Sequence, residues 1–191
     1  MRKAGIKTVK KRRLECKTNY SKRLKLLKSG KPRLVFRKTN SYVIGQYVTS
    51  IEAQDKIEIG ITSKHLTKYG WPENFMGSLK SITASYLTGY LLGNKILSEK
   101  LETPIVDFGM TRTGHKTKVF AFLKGLIDSG VEISCPEEAF PEEERIEGKS
   151  MKEDFSKTFK LIKEKIGAQK WAKKWKKKKS LKKILKKQLK F

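Results

Sequence analysis

Arg12, Arg13, Lys17, Arg23, Arg33, Arg37 and Lys38 crowd positive charge into the first 38 residues, where 16 basic residues face a single acid. Guanidinium and ammonium groups at that density neutralise phosphates and release the counterions condensed on a polyanion. Solvation alone does not explain so large an excess, because like charges held together repel. The excess returns at the other end: residues 163–191 carry 14 basic residues and one acid, while the stretch between is near neutral at −2. A near-neutral globule between two basic ends, +26 in all over 191 residues, points to a polyanionic partner. Tyr20, Tyr42, Trp71, Trp171 and Trp175 offer faces on which unpaired bases can stack. Tyr42 and Trp71 suit a core position as well.

Other reactive residue types lack the company that catalysis needs. Asp107-Phe108-Gly109 spells a kinase metal motif, yet no Gly-rich loop, strand lysine motif or His-Arg-Asp loop accompanies it. His65 and His115 have no nucleophile and acid near them in sequence. His115 lies among Arg112, Lys116 and Lys118, which suits a side chain facing a polyanion. Cys16 and Cys135 stand far apart, with no further Cys or paired His to complete a metal site. The expectation is a binding protein, not an enzyme, with no cofactor and no metal.

The elements that must position these residues follow from hydrophobic period. Phe75, Leu79, Ile82, Tyr86, Tyr90, Gly93 and Leu97, spaced by three or four, predict one long helix from about Asn74. Ala84, Leu87 and Leu91 widen its buried stripe. Ser81, Ser85, Gly89 and Gly93 add a strip of small residues that lets another backbone come close. Thr103 to Gly109, opened by Pro104, reads as a buried strand. Upstream, Met1 to Thr18 is an arm with no period of its own. Asn19 caps a short helix striped by Tyr20, Leu24 and Leu27 and ended by Ser29-Gly30. Arg33 to Lys38, Tyr42 to Val48 and Lys56 to Ile61 form a three-stranded meander. Thr62 or Ser63 starts a short helix that Gly70 ends. Val119 to Ile127 is a further helix after the basic loop Thr111 to Lys118, and strands and helices in this order imply a mixed sheet covered by helices. Cys135 to Glu147, with two Pro and six Glu, reads as a surface segment, ordered or mobile. Met151 to Ile166 is amphipathic through Phe155, Phe159, Ile162 and Ile166 and should dock on some other surface. From Gln169 the chain is a Lys-rich tail that permits a basic amphipathic helix.

The ordered run Arg12-Arg13, Lys17-Thr18-Asn19-Tyr20, Leu26 to Val35, Tyr69-Gly70-Trp71, Ala84 to Gly89, Val119-Phe120-Ala121 and Lys124-Gly125 resembles the L-eighteen family of large-subunit ribosomal proteins. It is most similar to the archaeal branch, whose eukaryotic counterpart is L-five, and the match covers about residues 8–165. The resemblance implies a three-layer α/β fold of ribonuclease H-like topology. It also implies binding of 5S rRNA and its attachment to large-subunit rRNA in the central protuberance, beside neighbouring large-subunit proteins. The expected RNA contacts are Arg12, Arg13, Lys17, Thr18, Tyr20, Arg23, Arg33, Arg37, Lys38, Asn40, Arg112, His115, Lys116, Lys118, Trp171 and Trp175. After Gln169 the chain departs from the family pattern.

The expected division is a basic arm and short helix at 1–30, an α/β domain at 31–134, an acidic loop and docking helix at 135–168, and the tail at 169–191. A ribonuclease H-like fold invites a nuclease reading, but metal-dependent phosphoryl chemistry needs several converging carboxylates, and only Asp107 is placed for it. A DNA-compacting protein would share the basic ends, and the tail could lie on an anionic membrane. Neither explains the ordered motifs. The uncharged stretch Ser81 to Asn94 is too short and polar to span a bilayer, and no secretory signal opens the chain. The expected location is the ribosome in the cytoplasm.

Overall fold

A four-stranded sheet with order β3-β2-β1-β4 organises the protein, whose computed structural model describes residues 9–149 and 155–168. Strands β1 (Arg33–Lys38), β2 (Val43–Ile51) and β3 (Gln54–Thr62) form the expected antiparallel meander, and β4 (Ile105–Asp107) adds to β1 in parallel. On β1 the period of two sends Leu34 and Phe36 into the core and Arg33, Val35 and Arg37 to the opposite face. Phe36 meets Phe122 on the core side, with ring centroids 5.0 Å apart. The mixed α/β sheet covered by helices is therefore as expected.

Two helices fill the core side, α3 (Ile82–Glu99) and α4 (Lys118–Ser129). The sequence predicts one helix from about Asn74, and here the structure differs. Phe75 and Leu79 belong to a separate 3-10 turn, Glu73–Ser78 and its cap, and α3 starts only at Ser81, whose hydroxyl accepts from the Ala84 amide at 3.1 Å. The apolar spacing ran on across the break because both pieces bury their side chains against the same core. A capping serine after Gly77 was the overlooked stop signal.

The small-residue strip does what its spacing predicts. A Cβ on Gly89 would overlap the Phe122 carbonyl, and one on Gly125 would overlap the Tyr86 carbonyl, so α3 and α4 cross at backbone contact. Gly125→Ala should therefore force the helices apart and cost about 3 kcal/mol. Gly77→Ala, with nothing within 4 Å of the new methyl, should be near neutral. Paired urea melts of the two variants check this.

The helix at 156–168, named α6 after α5 (Glu143–Glu147), docks as expected: Phe155, Phe159, Ile162 and Ile166 are all buried. Phe155 packs on Trp71 with ring centroids 4.8 Å apart. Trp71 is thus a core residue, and its indole N–H donates to the Phe75 carbonyl at 3.1 Å. Cys135 to Glu147 is more ordered than its composition suggests. It contains a 3-10 turn (Glu137–Ala139) and α5, and buries Ala139 and Ile146.

The N-terminal segment corrects two expectations. Lys11–Leu14 forms one helical turn, α1, which is tied to the residues after it because the Arg12 carbonyl accepts from the amides of Lys17 and Thr18. Asn19 does cap α2 (Tyr20–Lys28), its side chain accepting from the Lys22 amide at 3.1 Å. Leu24, however, is exposed, while Leu26 and Leu27 are half-buried.

Candidate nucleic-acid interface

The face of the sheet away from α3 and α4 carries a network of charges built by β1, β4, the β2–β3 hairpin and α2. Arg33 donates to Asp55 at 2.6 Å and to the Ser50 hydroxyl at 2.9 Å, and its second nitrogen lies 3.6 Å from Asp107. Arg37 donates to the Asp107 carboxylate at 3.3 Å and to the carbonyls of Phe36 and Asp107. The other Asp107 oxygen accepts from the Gly109 amide at 2.8 Å. Arg23 reaches across from α2 to Asp55 at 3.0 Å. The two carboxylates thus order three arginines and hold α2 to the sheet.

This assigns Arg33 a different role from the expected phosphate contact. Its side chain is only 4% exposed and ion-paired, so it serves the fold. Sequence could not separate it from Arg37, because both face the same side of β1. Arg37 is the outer of the two, with 41% of its side chain exposed.

Burial opposes ionisation of Asp55, but hydrogen bonds from Arg23, Ser50 and Arg33 outweigh it and hold the carboxyl below the usual carboxylate range. A depressed folded pKa contributes stability above the unfolded value of about 4, and that contribution is lost as pH falls through the folded value. Unfolding midpoints in urea should accordingly drop below about pH 4, and drop less steeply in Asp55→Asn.

Six of the expected contacts, Arg12, Lys17, Thr18, Arg23, Arg33 and Arg37, line one cleft of about 120 Å³ between the N-terminal segment and the β1–β4 edge. Arg12 donates through Nε to the Thr18 hydroxyl at 2.9 Å, which fixes the bend before α2. Lys38, Arg112, Lys116 and Lys118 line a second cavity of about 310 Å³ at the ends of β1, α3 and α4. Arg13 and Asn40 are exposed outside both, and Tyr20 is half-buried with the Lys10 ammonium 4.6 Å over its ring. His115 stacks on Phe120, ring centroids 5.9 Å apart. Half-buried Tyr42 lies under the Lys64 ammonium at 4.7 Å. Trp171 and Trp175 lie outside the described residues.

Sequence reasoning missed Lys22 at the first site and Arg145 at the second. Arg145 sat unnoticed in an acidic run, and only the fold of α5 brings it to the cavity. Among the described residues, no group of three or more His, Cys, Asp or Glu could hold a metal ion. His65 is used structurally, its Nδ1 accepting from the Thr62 amide at 3.1 Å.

An α/β scaffold with charge-lined clefts and carboxylates committed to arginines defines a binding protein. Comparison with known proteins places it: residues 6–104 match the model of ribosomal large subunit proteins 60S L5 and 50S L18. The large ribosomal subunit protein uL18 of Methanosphaera stadtmanae is 41% identical over 145 residues, 76% of this chain and 73% of its own length. That of Korarchaeum cryptofilum is 40% identical over 149 residues, 78% and 74% respectively. This chain belongs to the L5/L18 family of large-subunit ribosomal proteins, in its archaeal-type uL18 form. It is a structural constituent of the ribosome, associated with rRNA and other ribosomal proteins, and not an enzyme. No described helix is long and apolar enough to cross a membrane.

Proposed function

We propose that this protein binds 5S rRNA and helps attach it to the large-subunit rRNA in the central protuberance. The observation that carries the reading is the family match over residues 6–104, which spans the N-terminal segment and the part of the charged face built by α2 and β1 to β3. Arg12, Arg13, Lys17, Arg37, Lys38 and Asn40 contact the RNA from that side, with Arg23 sharing its charge between Asp55 and phosphate. Tyr20 stacks through the ring face that Lys10 leaves open. Arg112, His115, Lys116 and Lys118 make a second set of contacts, and the tail with Trp171 and Trp175 a third. The division into arm (1–30), α/β domain (31–134), acidic loop and docking helix (135–168) and tail (169–191) assigns the two basic ends to RNA. The order β3-β2-β1-β4, with β4 parallel to β1, supports the ribonuclease H-like topology, with the N-terminal segment as the outer layer over the second face.

Competition at fixed salt between labelled 5S rRNA and duplex DNA of equal length tests the function. Strong preference for 5S rRNA is expected, and equal displacement by DNA would instead favour a compaction role.

A further inference from the structure

The second cavity has a chemistry of its own. Four separate elements send cations to it: Lys38 from the end of β1, Arg112 from the loop after β4, Lys118 from the start of α4 and Arg145 from α5. Among the described residues none of these four forms an ion pair. Lys116 also lines the cavity but is engaged by Glu142 at 3.0 Å, the carboxylate that faces this side from the entry to α5. The first turn of α4 contains no acidic residue. Its N-cap residue Thr117 makes no side-chain cap, and its hydroxyl donates to the Gly114 carbonyl at 2.8 Å. The cavity also lies where β1 and β4, parallel neighbours, end, the position at which open α/β sheets receive ligands.

Five cations gathered around one carboxylate, Glu142, still oppose each other. Burial, reinforced by the neighbouring charges of Lys38 and Lys80, pushes the Lys118 ammonium below the usual lysine range. An anion entering the cavity would relieve that repulsion and satisfy the open amides of α4.

We propose that this cavity is a seat for a single phosphate group of an RNA backbone, held by Lys38, Arg112, Lys118 and Arg145 against the first turn of α4. The proposal rests on the RNA-binding reading and narrows it: the contact is one phosphate taken into a formed cavity, and it carries register without reading a base. Arg145 brings the acidic segment into the interface and gives α5 a reason to fold onto the domain.

The test uses the full chain and two readouts. In the first, acetylation of Lys118 is timed by mass spectrometry in the free protein, with saturating 5S rRNA, and with millimolar pyrophosphate. Slowing of at least about tenfold by RNA is expected, with a weaker slowing by pyrophosphate. Pyrophosphate protection without RNA protection would overturn the backbone assignment in favour of a free phosphate ligand, and no protection by either would overturn the seat. In the second, Lys118→Gln and Arg145→Gln should each lower the slope of log affinity against log salt by roughly 0.7 to 0.9, and Lys160→Gln, at an exposed position of α6, should not. Unchanged slopes with 5S preference intact would sink this inference alone, whereas loss of 5S preference in the wild-type competition would sink the functional reading and leave pyrophosphate protection to judge the cavity.

Discussion

Asp107→Ala is expected to destabilise the protein by about 3–5 kcal/mol, the range for removing one partner of a buried ion pair. Three facts set the size. Asp107 is 6% exposed, it is an ion partner of both Arg33 and Arg37, and its second oxygen holds the Gly109 amide. Without it the buried Arg33 guanidinium keeps only Asp55 and Ser50, while its Nε already lacks a partner among the described residues. Arg37 suffers less, because much of its side chain reaches water. The asymmetry yields a control. The double variant Arg33→Met, Asp107→Leu removes both buried charges, leaves Asp55 paired to Arg23 and should recover most of the loss. Urea denaturation of the three proteins at neutral pH checks this, and a double variant no better than the single one would show that Asp107 acts mainly through its hydrogen bond to Gly109.

That network also shows where sequence reasoning reached its end. The meander, the helix starts at Asn19 and at Thr62 or Ser63, and the stops at Gly70 and Gly130 were legible because caps and period-two alternation are local signals. Gly70 and Gly130 take left-handed φ values of 99° and 102°, where L side chains are strained. The α3–α4 crossing was legible as a small-residue strip, although not which helix would fill it. Asp55, Asp107 and Arg33 were not legible as a unit. They lie on three strands, and any of the arginines nearby could have been the buried one. The same limit hid Arg145, whose neighbours in sequence are acids and which the fold of α5 brings to one cavity with Lys38, Arg112 and Lys118. Composition located the charge; only the topology of the sheet divided it into pairs that hold the fold and cations left for a partner.

Deleting residues 1–18 should produce the largest change in RNA affinity, and a different kind of change from deleting residues 169–191. The arm carries eight basic residues against one acid. If half of them meet phosphates, the slope of log affinity against log salt falls by about 3 to 4, at roughly 0.7 to 0.9 per contact, and binding at about 200 mM salt weakens by orders of magnitude. The arm is also shaped at its base. The α1 turn, the Arg12 bond to Thr18 and the Asn19 cap fix the path of the chain as it meets the sheet, so its cations arrive in a set register relative to Arg37 and Lys38. Contacts held in register position an RNA of one shape better than another. The tail is repetitive Lys with scattered Trp and Leu and lies outside the family match, so it should attract any polyanion in proportion to charge. Arm deletion is therefore expected to reduce the preference for 5S rRNA over a scrambled RNA of equal charge. Tail deletion should weaken binding to both by a similar factor. Affinities of the two truncated proteins for the two RNAs, measured across a salt series, decide the matter. A tail deletion that selectively removes the 5S preference would show that register resides at the C-terminal end instead.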